Sequence, residues 1–309
     1  MGNNFSKKLK KNTPLPSIIM QEDSDFRYID GRRYHNVEGA KYPLPNDDEE
    51  LDRLHLQHFL FRYVLQRNFG APVKHILDQH GSKVLDIGCG AGSWMFEMAS
   101  DYPNTQFTGL DISPIQPTEI KPQNANFIKA NLLNGLPFEN ETYDYIFQRF
   151  LFSAIPKDSW HDVINEMIRV LKPGGYLELV EAIPIPFQMG PVTSQYFNAA
   201  RKMLQLRNLD SQVAYKLQSY FEQHENLENI TEEKNRITYG PETGKLGQAG
   251  VENSKLLLIH IKPFLLEEMK ISSEEFDNNL DISAKEFSEF DSYHDLRCVY
   301  ARKKEIIEH

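Results

Sequence analysis

The sequence predicts an α/β fold, a parallel sheet with helices on both faces. Three observations carry that reading. Short apolar runs alternate with segments of helical period between about residues 83 and 181. Such alternation calls for parallel strands joined by right-handed crossovers. One apolar run, Val84 to Ile87, feeds directly into Gly88-Cys89-Gly90-Ala91-Gly92. Finally, 309 residues at 40% hydrophobic content suffice for a sizeable core.

Taken in order, residues 1–26 are polar with scattered prolines and read as a disordered basic tail. Residues 27–48 read as an irregular segment punctuated by Gly and Pro. Asp47 or Asp48 is placed to cap a helix over about 49–69, whose Leu51, Leu54, Leu56, His58 and Phe59 form a stripe. A second short helix precedes Gly81. Residues 27–80 thus form an N-terminal helical segment, and 81–309 the main domain. Strands are expected at 83–87, 106–111, 125–130, 143–149 and 176–181, with helices over 93–101 and 160–171. From Gly190 to Glu228 the spacing of Phe197, Ala200, Met203 and Leu204, then Leu217, Tyr220 and Phe221, turns helical. Residues 234–239 suit a strand, 256–269 a helix, and 295–302 a final strand in which Leu296, Cys298 and Tyr300 alternate. No internal repeat is visible.

Charge is unevenly spread. The chain holds 34 Lys plus Arg against 44 Asp plus Glu, a formal −10. Residues 1–12 carry Lys7, Lys8, Lys10 and Lys11 and no acid, so the remainder carries −14. An acidic body argues against nucleic acid as a partner. Cys89 and Cys298 are too few for a disulfide framework or a four-cysteine zinc site. No metal site is expected. No secretory apolar segment and no apolar run near the ~18 residues of a membrane span is present. The expectation is an intracellular, cytoplasmic protein, with the nucleus left open. The basic tip begins Met1-Gly2 and places Ser6 five residues on, the N-myristoylation pattern, which makes Gly2 the candidate lipidation site. One acyl chain binds membrane only marginally, and adjacent lysines add about 1 kcal/mol each near an anionic surface. Peripheral membrane contact through this tip is one expectation, and a solvated tail that happens to begin Met-Gly is the other.

The decisive segment is Val84-Leu85-Asp86-Ile87-Gly88-Cys89-Gly90-Ala91-Gly92. Glycines let a ligand approach the backbone, and a helix N-terminus offers N–H groups. The dinucleotide fingerprint needs Gly or Ala where this chain has Ser93. Asp86 adds a negative charge that a diphosphate would not welcome, whereas a ligand bearing an ammonium and a sulfonium would. Asp111 ends the next apolar strand, where a carboxylate is placed to accept two ribose hydroxyls. A plain turn or helix-cap role is the alternative for Asp111.

In this order the motifs resemble those of the class I S-adenosylmethionine-dependent methyltransferases. The matching stretches are VLDIGCGAG (84–92), GLDIS (109–113), FIKANLLNGLPF (127–138), YDYIFQR (143–149) and LKPGGYLELVE (171–181). The lead-in RRYHNVEGAKYPLPNDDEELDRLHLQHFLFRYVL, with Asp52-Arg53-Leu54 and His58, and YDYIFQR resemble the fungal LaeA-like group. The resemblance implies a Rossmann-like class I methyltransferase sheet, mostly parallel with an antiparallel last strand. It also implies a lid helix before the sheet and a helical insert over 186–230 on the acceptor side. The cofactor would be S-adenosyl-L-methionine, and its contacts would be Asp86, Gly88, Cys89, Gly90, Gly92, Asp111, Ile112, Asn131, Leu132 and Gln148. Tyr42 and Arg53 would join from the lid, unless they merely pack it. Asn131 stands where the family commonly has Asp, and its amide oxygen would accept from the adenine amino group. Pro173-Gly174-Gly175 matches a structural turn.

Methyl transfer is an in-line displacement with a good leaving group, so alignment, proximity and desolvation carry it. A base is needed only if the acceptor must lose a proton. Gln148 and Arg149, ending the fourth strand, are the candidate acceptor-side residues. Glu181 reads as a helix cap or surface acid and His161 as a surface residue. Gln148-Arg149-Phe150-Leu151 stands where adenine or glutamine amino-methyltransferases carry Asn/Asp-Pro-Pro-Tyr, and no cysteine there suits cytosine C5 chemistry. A small molecule or a protein side chain remains as acceptor. Two functions compete: an active methyltransferase, with a link to secondary metabolism, and a cofactor-binding partner in a regulatory protein complex with little turnover. A nicotinamide oxidoreductase is disfavoured by Asp86 and Ser93.

Overall fold

The computed structural model describes residues 26–29, 31–37, 39–117 and 120–305. The expected basic tail, with Gly2 and Ser6, lies outside the described residues apart from Phe26. The segment read as irregular begins instead with a hairpin of β1 (Phe26–Ile29) and β2 (Arg32–His35), paired Phe26 to His35. Asp47 then caps α1 (Asp48–Leu65), its carboxylate accepting from Glu50 N at 3.2 Å. The short helix α2 (Lys74–Leu77) leads to the sheet.

The central units follow as β3 (Lys83–Ile87), α3 (Ser93–Asp101), β4 (Gln106–Asp111), β5 (Ala125–Lys129), β6 (Tyr143–Arg149), α4 (Trp160–Val170) and β7 (Leu171–Ala182). Helix α4 shows why the crossovers hold. It buries Trp160, Val163, Ile164, Met167 and Ile168, the i, i+3, i+4 stripe that a sheet-facing helix needs. The chain continues through α5 (Pro191–Leu206), α6 (Leu217–Glu222), β8 (Leu227–Thr238), α7 (Gly244–His260), α8 (Lys262–Met269), α9 (Ser273–Glu289) and β9 (Tyr293–Lys303).

The seven-stranded sheet runs β5-β4-β3-β6-β7-β9-β8. Strands β3 to β7 pair in parallel, and β9 pairs antiparallel with both β7 and β8. The order reverses between β3 and β4 on one side and β6 on the other. In open α/β sheets ligands bind beyond the carboxyl ends of the strands at such a switch point. Two cores flank the sheet. One, with Trp94, Phe147, Tyr196 and Phe276, lies under α1, α3, α5 and α9. The other, with Ile87, Trp160 and Leu179, lies under α4 and α6.

Several elements depart from the sequence reading, among them β7, which begins at Leu171 and not at 176. Residues 256–269 are not one helix, because Pro263 cannot donate to a continuing helix and the chain restarts at Lys262. Strand β8 begins at Leu227, seven residues before the expected start, so the helical stretch ends earlier. Helix α9 was masked by its acidic residues. Its apolar positions are Phe276, Leu280 and Phe287, and Ser272 accepts from Glu275 N at 3.1 Å. That Ser-x-x-Glu cap was not read from the sequence.

Candidate functional site

A cavity of about 220 Å³ opens at the switch point. Its floor is the carboxyl end of β3 and β4 with the turn Gly88–Ala91. One end is bounded by Asp111, Ile112, Asn131 and Leu132. Tyr42, Arg53 and His58 from the N-terminal segment and Arg149 with residues 150–155 after β6 complete the lining. Helix α1 roofs the turn. A Cβ on Gly90 would meet Leu54 at 3.6 Å, and His55 Nδ1 lies 2.8 Å from Ser93 Oγ.

The glycine turn works by leaving space. Gly88 has φ +68°, and a Cβ there would lie 2.4 Å from Leu151 of the β6–α4 loop. Gly109, beneath the turn, would drive a Cβ to 2.8 Å from Cys89 Sγ. The expectation of free N–H groups is corrected for most of the turn. Gly88 N and Cys89 N donate to Leu110 O, Gly92 N donates to Cys89 O, and Gly90 N donates to Asp111 Oδ2 at 2.9 Å. Asp111 Oδ1 accepts from Ser113 N at 2.9 Å. The Ile112 amide also acts on this carboxylate, which leaves part of its accepting capacity for a ribose hydroxyl. Burial raises the Asp111 pKa against these backbone donors.

Asp86 is 4% exposed and faces the cavity. No hydrogen bond from the described residues reaches its carboxylate. Burial pushes its pKa up to about 7, while Arg149 opposes that and Asp111 adds to it. A cationic ligand would therefore find a carboxyl that ionises readily on its arrival. Arg149 Nη2 donates to His58 Nδ1 at 3.0 Å, and His58 Nε2 lies 2.9 Å from Glu97 Oε2. Burial, with Arg149 second, lowers His58 to about 4. Burial also lowers Arg149 to about 10, so it keeps its charge at neutral pH.

The roof is pinned by a buried cluster. Arg53 donates to Glu50 Oε2 at 2.7 Å and Oε1 at 2.6 Å, and to Asn253 Oδ1 of α7 at 3.2 Å. His260 Nδ1 closes on the same Glu50 carboxylate. Arg53 thus borders the cavity while clamping α1 to α7. Tyr42 borders it too, its hydroxyl pKa raised by burial.

Several expected roles change. Gln148 does not border the cavity. It points into the opposite core, fully buried, and donates to Glu181 Oε1 at 2.7 Å. Neighbouring strand residues face opposite ways, and on β6 it is Arg149 that turns to the cavity. Gly92 does not line it either. It opens α3 at φ +80°, and its Cβ would meet Phe127 at 2.9 Å. Glu181 is no surface acid: it is fully buried, also accepts from Leu151 N at 2.7 Å, and burial pushes it up to about 8. Asn131 does border the cavity, but its amide oxygen accepts from Leu133 N at 3.0 Å. Any adenine contact falls to that oxygen's second lone pair.

None of residues 186–230 lines the cavity, so the acceptor-side insert is corrected to packing. Tyr196 and Phe197 join the core with α9, and Phe221 joins the one under α4. His161 is exposed and stacks on His224 with ring centroids 4.9 Å apart. Sequence reasoning missed Phe150, held at φ +62° with its ring 4.3 Å from Phe61, and missed Leu257 of α7. A bulky residue at positive φ marks a constrained turn at a site, and no sequence pattern announces it. Among the described residues no cluster of His, Cys, Asp and Glu is grouped to hold a metal ion.

The cavity fits S-adenosylmethionine by its own chemistry. It offers two acids on its floor, Asp86 and Asp111, a glycine-rich turn beside them and apolar walls.

Residues 84–175 match the sequence profile of a family described as a methyltransferase domain. A methyltransferase pytC of Aspergillus terreus is 37% identical over 177 residues, covering 57% of this chain and 51% of that protein. An N-methyltransferase verN of Clonostachys rogersoniana is 31% identical over 154 residues, covering 47% and 52%. A secondary metabolism regulator laeA of Coprinopsis cinerea is 31% identical over 170 residues, covering 54% and 41%. The chain spans about half the length of the curated relatives it matches.

Proposed function

We propose, starting from the methyltransferase domain this chain carries over residues 84–175, that the protein transfers a methyl group from S-adenosylmethionine to a small-molecule or protein acceptor. The observation that carries this is the pairing of Asp86 and Asp111 on one cavity floor, with Gly88 and Gly90 between them. The cofactor supplies an electrophilic methyl on a sulfonium sulfur. Asp111 would accept the ribose hydroxyls, Asp86 would face the ammonium, and Ile112, Asn131 and Leu132 would border the adenine. Cys89 would contribute backbone and bulk, since burial raises its thiol pKa. Residues 150–155 and α1 exclude water and align the acceptor, which is the part of catalysis this chemistry leaves to the protein.

The relatives include a secondary metabolism regulator as well as methyltransferases, so a role linked to secondary metabolism belongs to this proposal. That regulator also favours a second reading, a cofactor-binding member of a regulatory complex with little turnover. Methyl-labelled S-adenosylmethionine, incubated with the protein and with small-molecule and protein fractions of an extract, separates them. Label entering either fraction, and absent with Asp111→Ala, supports transfer. Cofactor binding with no label in any fraction supports the second reading. Membrane attachment through Gly2 and the lysines is proposed separately. A myristate analogue should label the full chain and not Gly2→Ala, and no label on the unaltered chain ends that idea.

A further inference from the structure

Two arginines border the cavity, and the chain treats them differently. Arg53 spends its guanidinium on Glu50 through two hydrogen bonds. Arg149 has no such acid. Among the described residues no carboxylate lies within ion-pair distance of it. Its side-chain hydrogen bond runs from Nη2 to His58 Nδ1 at 3.0 Å, and its neighbours include the rings of Phe147 and Phe150, 5.9 and 5.6 Å from Cζ. Asp86, Glu97 and Glu178 act on it only through space. Cations left in a desolvated wall are normally paired.

The holder is as informative as the gap. His58 gives its Nδ1 lone pair to Arg149 and directs Nε2 at Glu97 Oε2, 2.9 Å away. Glu97 is itself fixed by Arg62 Nε at 3.0 Å. This tautomer makes His58 a neutral acceptor. A carboxylate in its place would aim the guanidinium and cancel its charge together. A neutral imidazole aims it and leaves the charge for something else.

We propose that Arg149 is a seat for an oxyanion, aimed by His58 and Glu97, so that the ligand portion lying beside Gly88 carries a carboxylate or a comparably acidic oxygen. The inference rests on the methyltransferase reading and refines its ligand chemistry. Two sources share this chemistry: the carboxylate of the cofactor's methionine part and an acidic oxygen on the acceptor. In the second case the acceptor arrives already ionised. Its oxygen forms the new O–C bond, the C–S bond breaks with its electron pair passing to sulfur, and no proton has to leave. The cavity then needs no free base, which agrees with His58 being committed on both nitrogens. His58 is a positioning residue.

The test is calorimetric and uses the full chain. In one arm the wild type, Arg149→Gln and His58→Ala are titrated with S-adenosylmethionine and with its decarboxylated analogue. In the other, benzoate and neutral benzamide are titrated onto the S-adenosylhomocysteine complex and onto unliganded protein. A preference of the wild type for S-adenosylmethionine over the decarboxylated analogue of roughly ten- to hundredfold, abolished in Arg149→Gln, assigns the seat to the cofactor. A preference for benzoate over benzamide, abolished in the same variant, assigns it to the acceptor. His58→Ala keeps the charge but loses the aim, so it should cut the same ratio several-fold, and His58→Asn, which restores an acceptor atom, should recover part of it. Being a ratio, this readout is insensitive to simple loss of folded protein. No carboxylate preference in the wild type, or the same preference in both variants, overturns the proposal. Failure of both cofactor forms to bind sinks the methyltransferase reading instead, and the unliganded benzoate arm still reads the seat.

Discussion

Asp86 and Asp111 at the ends of β3 and β4 are buried acids, and so are Glu178 and Glu181 on β7, yet the two pairs are satisfied in opposite ways. Glu178 accepts from Gly70 N at 2.8 Å, Ala71 N at 2.8 Å, Tyr145 Oη at 2.8 Å and Cys298 Sγ at 3.2 Å. Glu181 accepts from Gln148 and Leu151 N. Glu178 is consumed by the fold, whereas Glu181 takes both bonds on Oε1 and keeps a buried, unpartnered Oε2 that borders no cavity. Asp86 takes no hydrogen bond from the described residues, and Asp111, held by backbone amides of residues 90, 112 and 113, keeps part of its accepting capacity unspent. Burial alone therefore does not mark a functional acid. What marks it is unspent accepting capacity that faces a cavity.

The largest expected effect breaks the structural side of that contrast. Glu178→Leu would strand the Gly70 and Ala71 amides and the Tyr145 hydroxyl, each worth about 1–3 kcal/mol when buried unpaired. Denaturant unfolding should show a loss of about 3 kcal/mol or more, with cofactor affinity per folded molecule unchanged. Asp86→Asn sharpens the other side. It should weaken cofactor binding about tenfold or more without lowering the stability of the unliganded protein, read by calorimetry and unfolding together.

The raised carboxyls set a pH signature. Asp86 moves from 3.8 up to about 7 and Glu181 from 4.5 up to about 8. In that window the folded state binds more protons than the unfolded chain, so stability falls as pH rises. The stability of the unliganded protein, read by denaturant unfolding, should fall progressively between about pH 4 and 8. Glu181→Gln should flatten the upper part of that curve, and Asp86→Asn the part below about 7. Cofactor affinity should move the other way, rising through about pH 7 as Asp86 ionises. The smallest effect is at Asn131. Asn131→Asp keeps the Leu133 cap and adds charge, and a gain of a few-fold in cofactor affinity is expected by titration.

The sheet was legible because each parallel strand is a short apolar run with a turn at its end. Lys83–Ile87, Gln106–Asp111 and Tyr143–Arg149 stand where the sequence placed them. The cavity floor was legible for the same reason, since Asp86, Gly88, Gly90 and Asp111 are fixed by their position on strand ends. Side-chain direction on β6 and β7 was not. Both faces of a central parallel strand are buried, so no alternation told Gln148 from Arg149, or a buried Glu181 from a surface one. Their partners are distant in sequence: His58 lies 91 residues from Arg149, and Gly70 lies 108 from Glu178. The insert over 186–230 misled because aromatic residues suit a pocket and a core equally well.

The central claim is that the β3 and β4 acids bind S-adenosylmethionine. Calorimetric titration of the full chain with S-adenosylmethionine, S-adenosylhomocysteine and NAD, with Asp86→Ala and Asp111→Ala alongside, tests it most directly. The account predicts binding of both sulfur ligands near micromolar, about −8 kcal/mol, no heat with NAD, and loss of binding in both variants while they remain folded. Binding that survives in both variants, or a preference for NAD, would contradict it.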